Sequence, residues 1–166
     1  IAAEPLSNRD ESKLLVYRNS EIKHSVFSGL PDYLPKKATL VFNNTKVIPA
    51  RLFFKRETGA QIEVFLLRPM EPTSEMQSNL QSTAPVVWEC MIGNLKKWKE
   101  AEVLQIALPE KRIVLEAKLI SKAKRHVEFK WGGGYSFAQI IEIIGKIPLP
   151  PYIKRGDLPL DKNYYQ

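Results

Sequence analysis

The stretch VVWECMIGNLKKWKEAEVLQIALPEKRIVLEAKLISKAKRHVEFKWGGG, residues 86–134, decides the fold. Four apolar-rich runs stand out in it, around 86–92, 102–107, 112–120 and 127–131. Each is short, rich in Val, Ile, Leu and aromatic residues, and separated from the next by charged or small residues. Short, evenly spaced runs of this kind predict a small antiparallel β-barrel. Gly132-Gly133-Gly134 ends the series. Ser136 then has the character of a helix cap, and Phe137, Ile140, Ile141 and Ile144 recur on one helical face until Gly145. Beyond it, residues 147–153 (IPLPPYI) are expected to be extended, because each proline fixes its own φ and restricts its predecessor.

Working back toward the start, residues 13–18 read as a strand, Asn19-Ser20 as a turn and residues 21–26 as the hairpin partner. Residues 30–34 predict one helical turn stopped by Pro35. Residues 39–43 read as a buried strand running into the polar stop Asn43-Asn44-Thr45. Residues 47–55 resume extended, with Pro49 at an edge or bend. Glu57-Thr58-Gly59 turns the chain into a strand over 61–67. From 71 to 85 the composition turns to Ser, Thr, Gln, Asn and Pro, which predicts a solvated, mobile loop.

Composition narrows the class. Of 166 residues, 44% are apolar, enough for a packed core. Twenty-five Lys and Arg against 18 Asp and Glu give +7. Such a surplus fits a polyanionic partner, since basic side chains gain free energy by releasing counterions from phosphates, and it is also common on soluble proteins. The cations are densest from Lys36 to Arg56, where Lys36, Lys37, Lys46, Arg51, Lys55 and Arg56 meet no carboxylate. Residues 58–145 hold eleven basic and ten acidic groups, a net of only +1. The single Cys90 cannot form an internal disulfide, and with His24 and His126 it forms no ligand-spaced cluster, so no metal site is expected. No apolar run reaches the roughly 18 residues of a membrane span. A reducing, cytoplasmic location is the expectation.

Several stretches carry candidate chemistry. Asn43, Asn44 and Thr45 put two carboxamides and a hydroxyl at a strand end, with Lys46 and Arg51 nearby; the alternative is an Asx-type turn with ordinary capping. Arg9-Asp10-Glu11-Ser12 is either an acid–base cluster or a capped turn with a surface ion pair. The triple glycine before a helix is a phosphate cradle or a plain turn. Pro148–Pro151 matches a PxxP ligand or a stiff connector. Lys96-Lys97-Trp98-Lys99 and residues 122–126 interleave cations with an aromatic as nucleic-acid surfaces do, or are solvated edges weakened by Glu100, Glu102 and Glu128.

In order and spacing, RDESKLLV (9–16), LPDYLP (30–35), NNTKVIPARL (43–52), ETG (57–59) with Glu63, WEC (88–90), IGKIPLPPYIKR (144–155) and the closing Tyr165-Gln166 resemble one family. It is the S-adenosylmethionine:tRNA ribosyltransferase-isomerases of queuosine biosynthesis. The resemblance implies a mixed α/β, strand-rich fold: an α/β catalytic domain, here 1–57 and 146–166, interrupted by an inserted small antiparallel β-barrel, 58–145. It implies transfer of the ribosyl group of S-adenosylmethionine, as co-substrate, to a 7-aminomethyl-7-deazaguanine at the tRNA wobble position. That ribose becomes an epoxycyclopentanediol, giving epoxyqueuosine with release of adenine and methionine, and no metal is needed.

Carried over by motif, Arg9, Asp10, Asn43, Asn44, Thr45 and Arg51 are the candidate catalytic residues, and Lys46, Tyr152 and Tyr165 the candidate substrate-binding residues. The partner implied is tRNA, with no membrane and no stable protein partner. The family's chain continues past Gln166, so these residues are expected to be an N-terminal piece, inactive alone. The rival readings are a non-catalytic β-barrel RNA-binding module and an adaptor bound through the proline stretch.

Overall fold

The computed structural model describes residues 6–43, 45–108, 111–149 and 153. They form two compact units, one over residues 6–46 and one over residues 47–149.

In the first unit a single 3-10 turn, Arg9–Glu11, precedes a hairpin of β1 (Lys13–Arg18) and β2 (Glu21–Val26). The pairing runs from Lys13 opposite Val26 to Arg18 opposite Glu21. Asn19 and Ser20 both take positive φ, 52° and 64°, the backbone twist that lets a two-residue turn match right-twisted strands. A 3-10 helix follows over Phe27–Tyr33, beginning three residues before the predicted helical turn.

Residues 39–43 depart from expectation, for they form no strand and lie exposed. Val41 is 91% and Phe42 72% accessible. An apolar run says that a segment gains by being covered; it does not supply the neighbour, and no strand of the described residues pairs with this one.

The second unit is the barrel. Its strands are β3 (Arg51–Lys55), β4 (Gln61–Glu71), β5 (Val86–Gly93), β6 (Val103–Leu108), β7 (Ile113–Ser121) and β8 (His126–Trp131). They form one antiparallel sheet in the order β3-β4-β5-β8-β7-β6, whose edges β3 and β6 approach each other and nearly close it. Alternate residues point inward. On β3 these are Leu52 and Phe54, and on β7 Ile113, Leu115, Ala117 and Leu119, all buried. Helix α2 (Phe137–Ile144) starts at Ser136, whose hydroxyl accepts from the Gln139 N–H in a reciprocal capping box. It drives Phe137 among Trp88, Phe129 and Trp131, at ring-centroid distances of 5.7, 5.5 and 5.2 Å.

Residues 71–85 correct the loop reading. They include a short helix, α1 (Met76–Leu80), whose first N–H groups are held by the Glu75 carboxylate. Asn79, fully buried, donates through Nδ2 to the carbonyls of Glu71 (2.8 Å) and Thr73 (2.9 Å). Its Oδ1 accepts the Trp88 indole N–H at 2.8 Å. One carboxamide thus satisfies an indole that the core would otherwise strand. Polar composition predicts solvation, but here a polar side chain is the internal partner.

The chain enters and leaves the barrel side by side. Arg51 donates its N–H to the Lys146 carbonyl (3.2 Å), and Lys146 returns one to Arg51 (2.9 Å). Across the seam between β3 and β6, Arg56 Nε lies 2.7 Å from Glu102 Oε1, both side chains mostly buried. The Arg56 hydrogen bond, aided by the Lys99 N–H, holds the Glu102 carboxyl below its usual range. A carboxyl depressed in the folded state adds stability that is full above its unfolded value, near 4.5, and is lost as pH falls through the folded value. The barrel's melting temperature should therefore fall as the pH drops below about 4.5, toward the depressed folded value. Glu102→Gln should lower it at neutral pH and make that acid decline shallower, as followed by circular dichroism.

Candidate functional site

Arg51, at the start of β3, sits where the barrel strands meet the bridge to Lys146. Its Nε donates to Glu63 Oε1 at 2.8 Å, with both side chains about one-third exposed. The hairpin register places Glu63 opposite Phe53, so Arg51 reaches its partner on the diagonal. The guanidinium also lies over the Phe53 ring, 5.3 Å from its centroid, and Lys146 Nζ approaches the same ring at 5.6 Å. Two cations, one carboxylate and one aromatic face therefore gather at the root of the barrel. Such a group can bind an anion through the remaining guanidinium N–H donors, or present a ring and a carboxylate to a cation.

Asn43 and Thr45 are brought together in the first unit. The Thr45 N–H donates to Asn43 Oδ1 at 2.9 Å, and the Thr45 hydroxyl donates to the same oxygen. This is the Asx-type turn, and it leaves the Asn43 Nδ2 hydrogens and the Thr45 hydroxyl lone pairs as the groups able to meet a ligand. Lys46 beside it is exposed. Arg9 and Asp10 share an exposed 3-10 turn in which Asn8 caps the Asp10 N–H at 3.3 Å. Asn44, Tyr152 and Tyr165 lie outside the described residues. So do Pro150 and Pro151 of the proline stretch.

Two other sequence readings resolve simply. Gly132–Gly134 form a turn, with Gly133 and Gly134 at φ 88° and 71°, rather than opening directly into α2. Trp98 is fully buried and its indole donates to the Glu102 carbonyl at 3.0 Å, so it is a core residue unavailable for stacking on a base. Cys90 is likewise buried, and burial pushes its thiol well up, away from nucleophilic use at neutral pH. Among the described residues no group of three His, Cys, Asp or Glu could hold a metal ion, and no helix is long and apolar enough to cross a membrane.

Comparison with known proteins gives these positions a context. The family model described as queuosine biosynthesis protein matches residues 1–166. The chain belongs to that family. Among curated members of the queuosine biosynthesis family, the S-adenosylmethionine:tRNA ribosyltransferase-isomerase of Aquifex aeolicus is 38% identical over 168 residues. Proteins of the same name from a Sulfurihydrogenibium species and Cytophaga hutchinsonii are 38% and 36% identical. All of this chain is covered in each case, but only 45% of each relative, so it spans about half their length. No solved structure matches.

Two of the family-like stretches meet physically in the barrel. NNTKVIPARL contributes Arg51, and the strand after ETG contributes Glu63, its ion-pair partner. Phe53 and Lys146 were not singled out in the sequence. The signal for Phe53 lay in the hairpin itself: counting outward from the turn at 57–59 pairs it with Glu63.

Proposed function

We propose that this chain belongs to a tRNA-modifying transferase-isomerase that moves the ribosyl group of S-adenosylmethionine to a 7-aminomethyl-7-deazaguanine at the wobble position. The product is epoxyqueuosine, with adenine and methionine released. The observation that carries this reading is the match of the family model along all of residues 1–166. The names of its relatives point the same way. The insertion of the barrel into an α/β catalytic domain is part of the proposal, and the adjacent entry and exit strands at Arg51 and Lys146 support it.

The reaction sets physical demands on these residues. A sulfonium is a fixed cation and is favoured by carboxylates and aromatic faces, both present beside Arg51 in Glu63 and Phe53. Protons must move beside the sulfonium and at the departing adenine, which calls for positioned acids and bases. Asp10 and the Asn43–Thr45 turn are our candidates for that work. Arg51, clamped by Glu63, is the candidate for holding an anionic group, and Lys46, Tyr152 and Tyr165 for contacting substrate. The incoming amine must be neutral to attack, which a dry pocket favours. The buried Trp98 counts against the alternative of a barrel that only binds RNA by stacking bases.

The test is adenine release from S-adenosylmethionine in the presence of substrate tRNA, in a protein of the relatives' length carrying these residues. The 166 residues alone should release none. Asn44→Ala or Arg51→Ala should cut the rate of the longer protein at least about tenfold, the scale of misplaced reacting groups. For Arg51→Ala the loss of stability should be only about 1 kcal/mol, the scale of a partly exposed ion pair. Unchanged turnover in both variants would remove these residues from the site.

A further inference from the structure

The net charge of +1 over residues 58–145 conceals a segregation. One end of the barrel collects the β3–β4 turn, the 94–102 connection and the β7–β8 turn. The registers place them together: Lys55 pairs with Gln61, Glu63 with Gly93, Val103 with Lys118, and Ser121 with His126. Direct hydrogen bonds tie the three segments into one rim. Asn94 Nδ2 donates to the Gln61 carbonyl (2.9 Å), the Cys90 N–H to Arg125 (3.0 Å) and the Lys122 N–H to Glu100 (3.1 Å).

Six exposed cations stand on this rim: Lys55, Lys96, Lys97, Lys99, Lys124 and Arg125. Of the carboxylates there, Glu102 is held by Arg56 and Glu100 accepts the Lys122 N–H. Nearby, Glu89 is paired with Arg68 and Glu63 with Arg51, and Glu57 is exposed. The rim is also stiff. Trp98 is buried beneath it as an anchor, and its carbonyl accepts Lys122 Nζ at 3.2 Å. Cations fixed in place by an anchored loop lose less freedom on binding than those on a free tail. Helix α2, which packs Phe137 on Trp88 and Trp131, occupies the opposite end.

We infer that this basic rim is a docking surface for the phosphodiester backbone of folded RNA, separate from the cluster at Arg51. The inference rests on the proposed tRNA substrate for the choice of RNA as the polyanion. Because the one aromatic of the rim's lysine run is buried, recognition runs through phosphates, not bases. It is therefore salt-dependent and indifferent to sequence, a grip that places the RNA without reading it.

The experiment compares two variants of equal charge change in the protein of the relatives' length. One is Lys97→Glu with Lys124→Glu on the rim; the other is Lys111→Glu with Arg112→Glu in the β6–β7 turn at the opposite end. All four side chains are exposed, and unchanged melting curves check that folding is intact. RNA affinity is read by fluorescence anisotropy with a tRNA transcript over a salt series. The rim variant should bind about tenfold more weakly and lose about one to two units from the slope of log affinity against log salt. The opposite-end variant should change less than about threefold. In the adenine assay the rim variant should raise the KM for tRNA and leave kcat unaltered. Equal losses in the two variants, or a rim effect seen only with phosphatidylserine vesicles and not with RNA, would overturn the assignment. Absence of adenine release from the unsubstituted protein would instead defeat the proposed function while leaving the RNA measurement readable.

Discussion

Replacing Trp88 with alanine should remove about 4 kcal/mol from the barrel, the middle of the range for deleting a buried large aromatic. The indole is fully buried and packs on Phe137, which α2 inserts into the same core. Its N–H is also the group that Asn79 Oδ1 accepts. The alanine variant therefore loses packing and strands a buried carboxamide oxygen. Trp88→Phe separates these terms, since it keeps most of the ring and loses only the donor. It should cost about 1–3 kcal/mol, the scale of an unsatisfied buried acceptor. Urea unfolding monitored by far-UV circular dichroism gives both numbers. Near-equal losses would mean that the hydrogen bond, not the ring, carries the effect.

Gly145→Ala should be nearly as damaging, about 3 kcal/mol, because a Cβ there overlaps main chain that cannot turn aside. The added carbon would lie 2.0 Å from the Pro49 carbonyl oxygen and 2.5 Å from that of Ile141. Gly59→Ala is the informative control. That glycine has a φ of +82° but nothing within 4 Å of a new Cβ, so the cost should be only about 1 kcal/mol of backbone strain. Equal costs at the two positions would contradict the packing described at the barrel's entry.

Gly145 also shows what the sequence conveys and what it does not. It was legible as the residue that stops α2, and it does so. The reason is different from the usual left-handed cap: its φ is −73°, and the need is for close approach to Pro49. Strand positions were legible for a local reason. The turns at Asn19-Ser20 and 57–59 punctuate alternating runs, and alternation together with turn length fixes register. Non-local partners were not legible. Asn79 looked solvated because composition cannot show that Trp88 lacks an acceptor. Trp98, flanked by lysines, read as part of a solvated edge or of a nucleic-acid surface, whereas the 3-10 turn at Leu95–Lys97 leads into its burial. Leu40, Val41 and Phe42 looked buried because apolar content was read as location. At the candidate site, Arg51 was visible as a motif residue, but its clamp by Glu63 and its place over Phe53 depend on the hairpin register.

The central claim is that the family's chemistry transfers the ribosyl part of S-adenosylmethionine, and the products test it directly. A protein of the relatives' length carrying these residues is incubated with S-adenosylmethionine and tRNA bearing the 7-aminomethyl-7-deazaguanine, and the small molecules and digested nucleosides are weighed by mass spectrometry. The account predicts adenine and methionine in equal amounts, with one epoxycyclopentanediol group gained per modified base. Formation of S-adenosylhomocysteine with a methylated base would contradict it, because the donor would then have given up its methyl group instead of its ribose.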